Sequence, residues 1–168
     1  TFEEVHRITK EGRFLILIKN NNKSKSAARL LGVQILFEME INGKNTKTVI
    51  KRLSDNYLKE ISQLNKNEIS DKDYLIKILN GVSLNQNKID NDIKENLNNW
   101  SLSRIDSVSR AILRSACFEI HECIDVPPKV IINEYVNISK SFFSEREPSF
   151  INGILDSIAK IYRKDEII

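Results

Sequence analysis

Only two cysteines, three prolines, five glycines and two histidines occur in 168 residues. Each scarcity closes a class of function. Cys117 and Cys123 lie six positions apart on one expected helix, point in different directions and cannot be bridged without distortion, so a disulfide framework is excluded and a reducing cytoplasm fits best. The glycines, at 12, 32, 43, 81 and 153, never cluster, which removes a phosphate-cradling loop and a dinucleotide fingerprint. His6 lies in the N-terminal arm. His121 follows Cys117 by one helical turn, but that single pair lacks the other ligands a zinc site requires, so no metal and no cofactor are expected. The longest apolar run, Phe14 to Ile18, is far short of the ~18 residues of a membrane span and too short for the apolar region of a signal peptide.

What is present describes a soluble helical domain. Hydrophobic residues at 40% and charged ones at 29% suit a folded chain, and the length suits one domain of roughly 100–200 residues. A net charge of +3 is too small to define a partner, yet its distribution is uneven. Between Gly12 and Phe37 stand Arg13, Lys19, Lys23, Lys25 and Arg29, with no Asp or Glu. Such a run is either a solvated arm or a footprint for phosphate. Glu119 and Glu134 are read as ion-paired packing residues, the first beside Arg110 or Arg114 and the second beside Lys129 or Lys140, rather than as a catalytic carboxylate pair.

Apolar residues recur every three or four positions almost throughout, which predicts an all-α fold of about seven helices. The first runs from Ser26, through Leu30, Val33, Leu36 and Ile41, to a stop at Gly43. Thr46 is expected to cap the second, with Val49, Leu53, Tyr57 and Ile61. Ser70 starts a third, carrying Tyr74, Leu75, Ile78 and Val82, and a polar break near residue 86 separates it from a short fourth, Ile89 to Leu97. Trp100 is expected to wedge between helix pairs. A fifth, through Ile105, Val108, Ile112, Ala116 and Ile120, is apolar on more than one side and is expected to be the longest element and the central post. The sixth spans Lys129 to Ser141 and the seventh Ser149 to Tyr162, opened by Pro148. Residues 1–22 fall outside this pattern, as an extension or an expression remnant of unknown role, and 23–168 read as a single domain. Phe14 to Ile18 suits a short strand or an apolar clip.

Several motifs follow one another in a specific order: LRSACFE from Leu113, the DVP turn from Asp125, KVIINE from Lys129 and FINGILD from Phe150. With SAARLLGVQILFEMEING from Ser26 and GVSLNQNKID from Gly81, they resemble the NusB family of bacterial transcription antitermination factors, over about residues 24 to 163. The resemblance implies an N-terminal three-helix and a C-terminal four-helix subdomain sharing one core. It implies no catalysis, but binding of boxA-type single-stranded RNA from ribosomal RNA leaders, together with the small-subunit ribosomal protein NusE, within the RNA polymerase antitermination complex.

The RNA surface of that family joins the basic start of the first helix to the start of the last. Lys25, Ser26, Ala27 and Arg29 fall on the first motif, and Phe150 and Asn152 on the second. Lys23 extends the basic stretch, and Arg146 and Ser149 flank Phe150. Phe150 either stacks on a base or lies buried beneath helix one. Many members carry consecutive arginines where this chain has Lys-Ser-Ala-Ala-Arg; four cations, counting Lys19, would give a salt slope of only about −3. Leu102, Arg104, Asp106 and Ser109, at the start of helix five, are the candidates for NusE contact, and equally suit caps and solvated surface. Two readings from other classes stand beside this one. One is a NusB-like RNA-binding domain detached from a ribosomal RNA cytosine-5 methyltransferase. The other is a helical protein-interaction module that ignores RNA.

Overall fold

The computed structural model describes residues 6–8, 14–16, 25–57 and 71–167. Lys19, Lys23, Ser70 and the end of the expected second helix lie outside them. Six α-helices are present among the described residues: α1 (Lys25–Asn42), α2 (Thr46–Arg52), α3 (Lys72–Glu95), α4 (Ser107–Glu122), α5 (Pro128–Lys140) and α6 (Arg146–Tyr162). Two three-residue strands, β1 (His6–Ile8) and β2 (Phe14–Ile16), pair antiparallel with Arg7 opposite Leu15, so part of the Phe14 to Ile18 run is indeed a strand. No described helix is long and apolar enough to cross a membrane. The chain divides into two compact units, residues 1–77 and 78–168.

In the first unit, α1 ends where the sequence places its stop. Gly43 adopts φ +61°, and Lys44 N–H reaches back to the Met39 carbonyl at 3.1 Å, closing the helix end in a left-handed cap that a side chain would strain. Helix α2 is capped by Asn45 rather than by Thr46: its side-chain oxygen accepts from Thr48 N–H at 2.9 Å. It runs on into a π-helical turn, Leu53–Tyr57. Glu38 of α1 accepts from Arg52 at 3.1 Å and from Lys44 at 3.4 Å, tying α2 and the intervening turn to α1.

The second unit is built on α4, buried from Ala111 to Ile120 on almost every side except Arg114, and packed against α5 and α6. It is the post expected, but not the longest element. That is α3, because the expected third and fourth helices are one: no Pro or Gly intervenes after Gly81, and the buried stripe continues through Val82, Ile89 and Ile93. The polar stretch near residue 86 is the solvent face of a continuous helix. Gly81 itself is a close approach, since a Cβ there would stand 2.0 Å from Cε2 of the buried Phe118 ring.

Beyond α3, Asn98 and Asn99 take φ of 44° and 72°, turning the chain so that Leu97 is buried while Trp100 stays 57% exposed. Trp100 is therefore not the expected wedge, and the buried residue at this point is Leu97. Asp106 caps α4, accepting from Val108 and Ser109 N–H at 3.0 Å each. Arg114, expected beside Glu119, grips Asp90 of α3 with two bonds, at 2.8 and 3.0 Å. Arg110 turns back on the Leu102 carbonyl. Helix α6 starts at Arg146, ahead of the expected Ser149, with Pro148 buried in its first turn, where a missing N–H leaves no bond unmade. At the far end, buried Arg163 donates to the carbonyls of Cys123, Ile124 and Val126, at 3.1–3.3 Å, and so closes the C-terminal end of α4. Both cysteines are buried and unbridged.

Candidate nucleic-acid interface

In the first unit, the start of α1 carries no acidic residue in its first turn that would offset its positive end. Lys25 is exposed, Ser26 and Ala27 half-buried. Arg29 overturns its expectation of an exposed phosphate ligand: it is 3% exposed and engaged with Tyr74 of α3. Its guanidinium donates to the Tyr74 hydroxyl at 3.2 Å and its carbon sits 5.4 Å from the ring centroid. Lys25 Nζ lies 4.8 Å from the same centroid. Its position explains the fate of Arg29, since it lies in the stretch of α1 from Ala28 to Val33 that is buried at every residue. Tyr74 was legible as a core position but not as the aromatic plate beneath two cations.

In the second unit, a groove of about 740 Å³ opens between the segment that precedes α4 and the start of α6. Trp100, Arg104, Asp106 and Ser109 line one side, and Arg146, Glu147, Ser149 and Phe150 the other. Phe150 is 40% exposed, so it is not buried beneath another helix. Gly153, one turn on, meets nothing within 4 Å of where a Cβ would stand, which leaves the space beside Phe150 open. Residues read as two surfaces, one for RNA and one for a partner, thus line one groove.

Not all of them are presented. Leu102 and Ser109, expected on the partner face, are both buried: Leu102 opens a tight turn, and Ser109 is drawn inward by the Asp106 cap. Arg104 and Asp106 stay exposed. Asn152 is exposed but lines a second hollow of about 680 Å³ with Lys140, Phe143 and Pro148, which shares only Ser149 with the Phe150 groove. Trp100 was missed as a surface residue, because a lone tryptophan after an apolar stripe reads as core.

The groove is mixed in charge, with Arg104 and Arg146 against Asp106 and Glu147. Counterion release is therefore a small part of what it can offer, and the two exposed aromatic faces are the larger part. Elsewhere in this unit, the Cys117–His121 pair stands against Asp92 of α3. Burial pushes the Cys117 thiol well above its usual range, and burial followed by the Lys88 charge lowers His121.

The profile of the NusB family matches residues 26–160. The transcription antitermination protein NusB of Caulobacter vibrioides is 39% identical over 142 residues, covering 84% of this chain and 95% of that protein. Its counterpart from Clostridium botulinum is 36% identical over 137 residues, covering 82% and 98%. Among solved structures, T. maritima NusB superposes with a TM-score of 0.70 at 28% identity, over 85% of this chain and 96% of that one.

Proposed function

This chain belongs to the NusB family, and from that membership we propose that it is a transcription antitermination factor that binds boxA-type single-stranded RNA of ribosomal RNA leaders together with NusE. It acts by binding, not by catalysis, in the cytoplasm, where transcripts are made, as one part of the RNA polymerase antitermination complex.

The observation that carries this reading is the exposed Phe150, set beside Arg146 and Ser149 at the start of α6, on the motif that faces RNA in the family. A base stacked on its ring gains roughly 1–3 kcal/mol. Lys25 at the start of α1, with Lys19 and Lys23, supplies phosphate contacts. With Arg29 engaged by Tyr74, three cations remain and the salt slope falls to roughly −2. Binding by this chain alone is accordingly weak. NusE supplies a second surface, and two weak surfaces held side by side hold one strand more tightly than either does separately.

A second reading attaches to the charge of the groove. Asp106 and Glu147 repel a phosphate chain, so Arg104 and Asp106 favour a protein as the occupant of that wall, and NusE is the candidate. RNA then reaches only the Phe150 side. The test is RNA binding by the full chain with and without NusE, using a boxA strand and a scrambled strand of equal length. Preference for boxA that rises when NusE is added supports the proposal. Failure of NusE to associate, with boxA held no better than the scrambled strand, ends it.

A further inference from the structure

We propose that Asp92, Cys117 and His121 form a binding site for a divalent transition-metal ion of the zinc class. Cys117 and His121 are one helical turn apart on α4 and share a face, and Asp92 reaches them from α3. This is the third ligand that the sequence pair lacked, supplied by the packing of one helix on another.

The spacing suits an ion. His121 Nε2 lies 3.1 Å from Asp92 Oδ2 and 3.5 Å from Cys117 Sγ, and all three donor atoms fall within 4.8 Å of one another. Metal bonds of about 2.0–2.1 Å to nitrogen and oxygen and about 2.3 Å to sulfur, at tetrahedral angles, hold ligand atoms roughly 3.3–3.6 Å apart. Two edges of the triangle are already close to that length. A turn of the Asp92 carboxylate closes the third.

Hydrogen bonding alone serves this trio poorly. One ring nitrogen faces both the carboxylate and the sulfur, and it carries at most one proton. Donating to Asp92, it makes no bond to the sulfur; accepting from the thiol, it meets the carboxylate lone pair to lone pair. A cation at the centre serves all three donors at once. A thiolate, an imidazole and a carboxylate are also the mixed set that zinc accepts.

The surroundings are arranged as a supporting shell. Tyr162 of α6 donates its hydroxyl to Asp92 Oδ2 at 2.9 Å and lays its ring 4.1 Å from the His121 ring, orienting both. The Cys117 side is fully enclosed and the His121 side chain is 2% exposed, while Asp92 keeps 17% of its side chain open, which gives the ion an entrance through which a water would complete the coordination. Lys88, over the outer face of Tyr162 at 5.0 Å from its centroid, opposes a bare dication. Two anionic ligands neutralise that charge and limit the opposition. Bound there, the ion ties α3 to α4.

Cobalt(II) titrated into the full-length, reduced, chelator-treated protein tests the site. The expected result is saturation at one equivalent, with tetrahedral visible bands and a near-ultraviolet thiolate-to-cobalt band that zinc abolishes by displacement. Cys117→Ser should remove the near-ultraviolet band, Cys123→Ser should keep it, and Tyr162→Phe should weaken affinity about 10-fold, the lower end of what outer-shell partners contribute. Wild-type protein that takes up no cobalt stoichiometrically, with its helical circular dichroism intact, overturns the proposal whether or not any variant folds. So does a thiolate band that survives Cys117→Ser in a folded variant.

Discussion

The first unit encloses one cation, Arg29, and the second exposes two aromatics, Trp100 and Phe150. At the start of α1, in the chain's most basic stretch, Arg29 is folded onto Tyr74 and withdrawn from solvent. At the start of α6, within an apolar motif, Phe150 keeps 40% of its surface open and faces a groove with Trp100. Residue type would assign these roles the other way round. Whether a side chain meets a ligand is decided by the helix face it occupies, and a run of like charges does not reveal which of its members lies inward.

The largest expected effect breaks the first half of that contrast. Arg29→Ala removes a buried hydrogen bond from a charged donor and a desolvated cation–aromatic contact, for a loss of about 2–3 kcal/mol in unfolding free energy. Urea denaturation measures it. An unchanged midpoint would mean that Arg29 is not a packing residue, and the phosphate role would return to it. Lys25→Ala, on the exposed side of the same tyrosine, should leave stability within about 0.5 kcal/mol.

Phe150→Ala probes the other half. It should weaken RNA binding in the presence of NusE by about 2 kcal/mol, roughly 30-fold, because one base loses its platform. Stability should move far less than for a core aromatic. Phe150→Tyr, which keeps a flat ring, should restore most of the affinity. Equal affinity in all three proteins would show that the groove stacks no base, leaving it to a protein partner.

The part of the fold most legible in the sequence was α4 to α6, because buried positions there recur at helical spacing and prolines mark the turns. Gly43 was legible for an equally local reason, a backbone that only glycine adopts without strain. What escaped was tertiary. The exposed face of α3 near residue 86 is indistinguishable by composition from a loop, so one helix read as two. Arg163 lies past the last periodic residue, and nothing local tells that three carbonyls of the α4–α5 connection await it. Of the residues that line the groove, Phe150, Arg146, Arg104 and Asp106 are singled out in the sequence by motif and position. Trp100 was missed, and the burial of Arg29, Leu102 and Ser109 was not visible, because each depends on which face packs.

A smaller effect sharpens what Lys25 does. Removing one single-strand phosphate contact should flatten the salt slope by about 0.7, with a loss of affinity shared by boxA and scrambled strands alike. Titrations at several salt concentrations give the slope. Loss confined to boxA would make Lys25 a reader of sequence rather than of charge, and would place specificity in the first unit.

The smallest effect concerns the two cations that the first unit gathers on Glu38. Burial pushes this carboxyl up, but the bonds and charges of Arg52 and Lys44 outweigh burial and hold it below its ordinary value. A carboxylate whose folded value is depressed adds stability that is fully present above its unfolded value and disappears as pH falls through the folded one. The contribution is on the scale of part-exposed ion pairs, about 0.5 kcal/mol. Because other carboxylates titrate in the same window, the informative quantity is the difference between wild type and Glu38→Gln, followed by urea denaturation. It should be steady above about pH 5.5 and shrink below about pH 4. A difference that stays constant to pH 3 would show that Glu38 joins α2 to α1 by packing rather than by charge, and the contrast between the units would then rest on Arg29 alone.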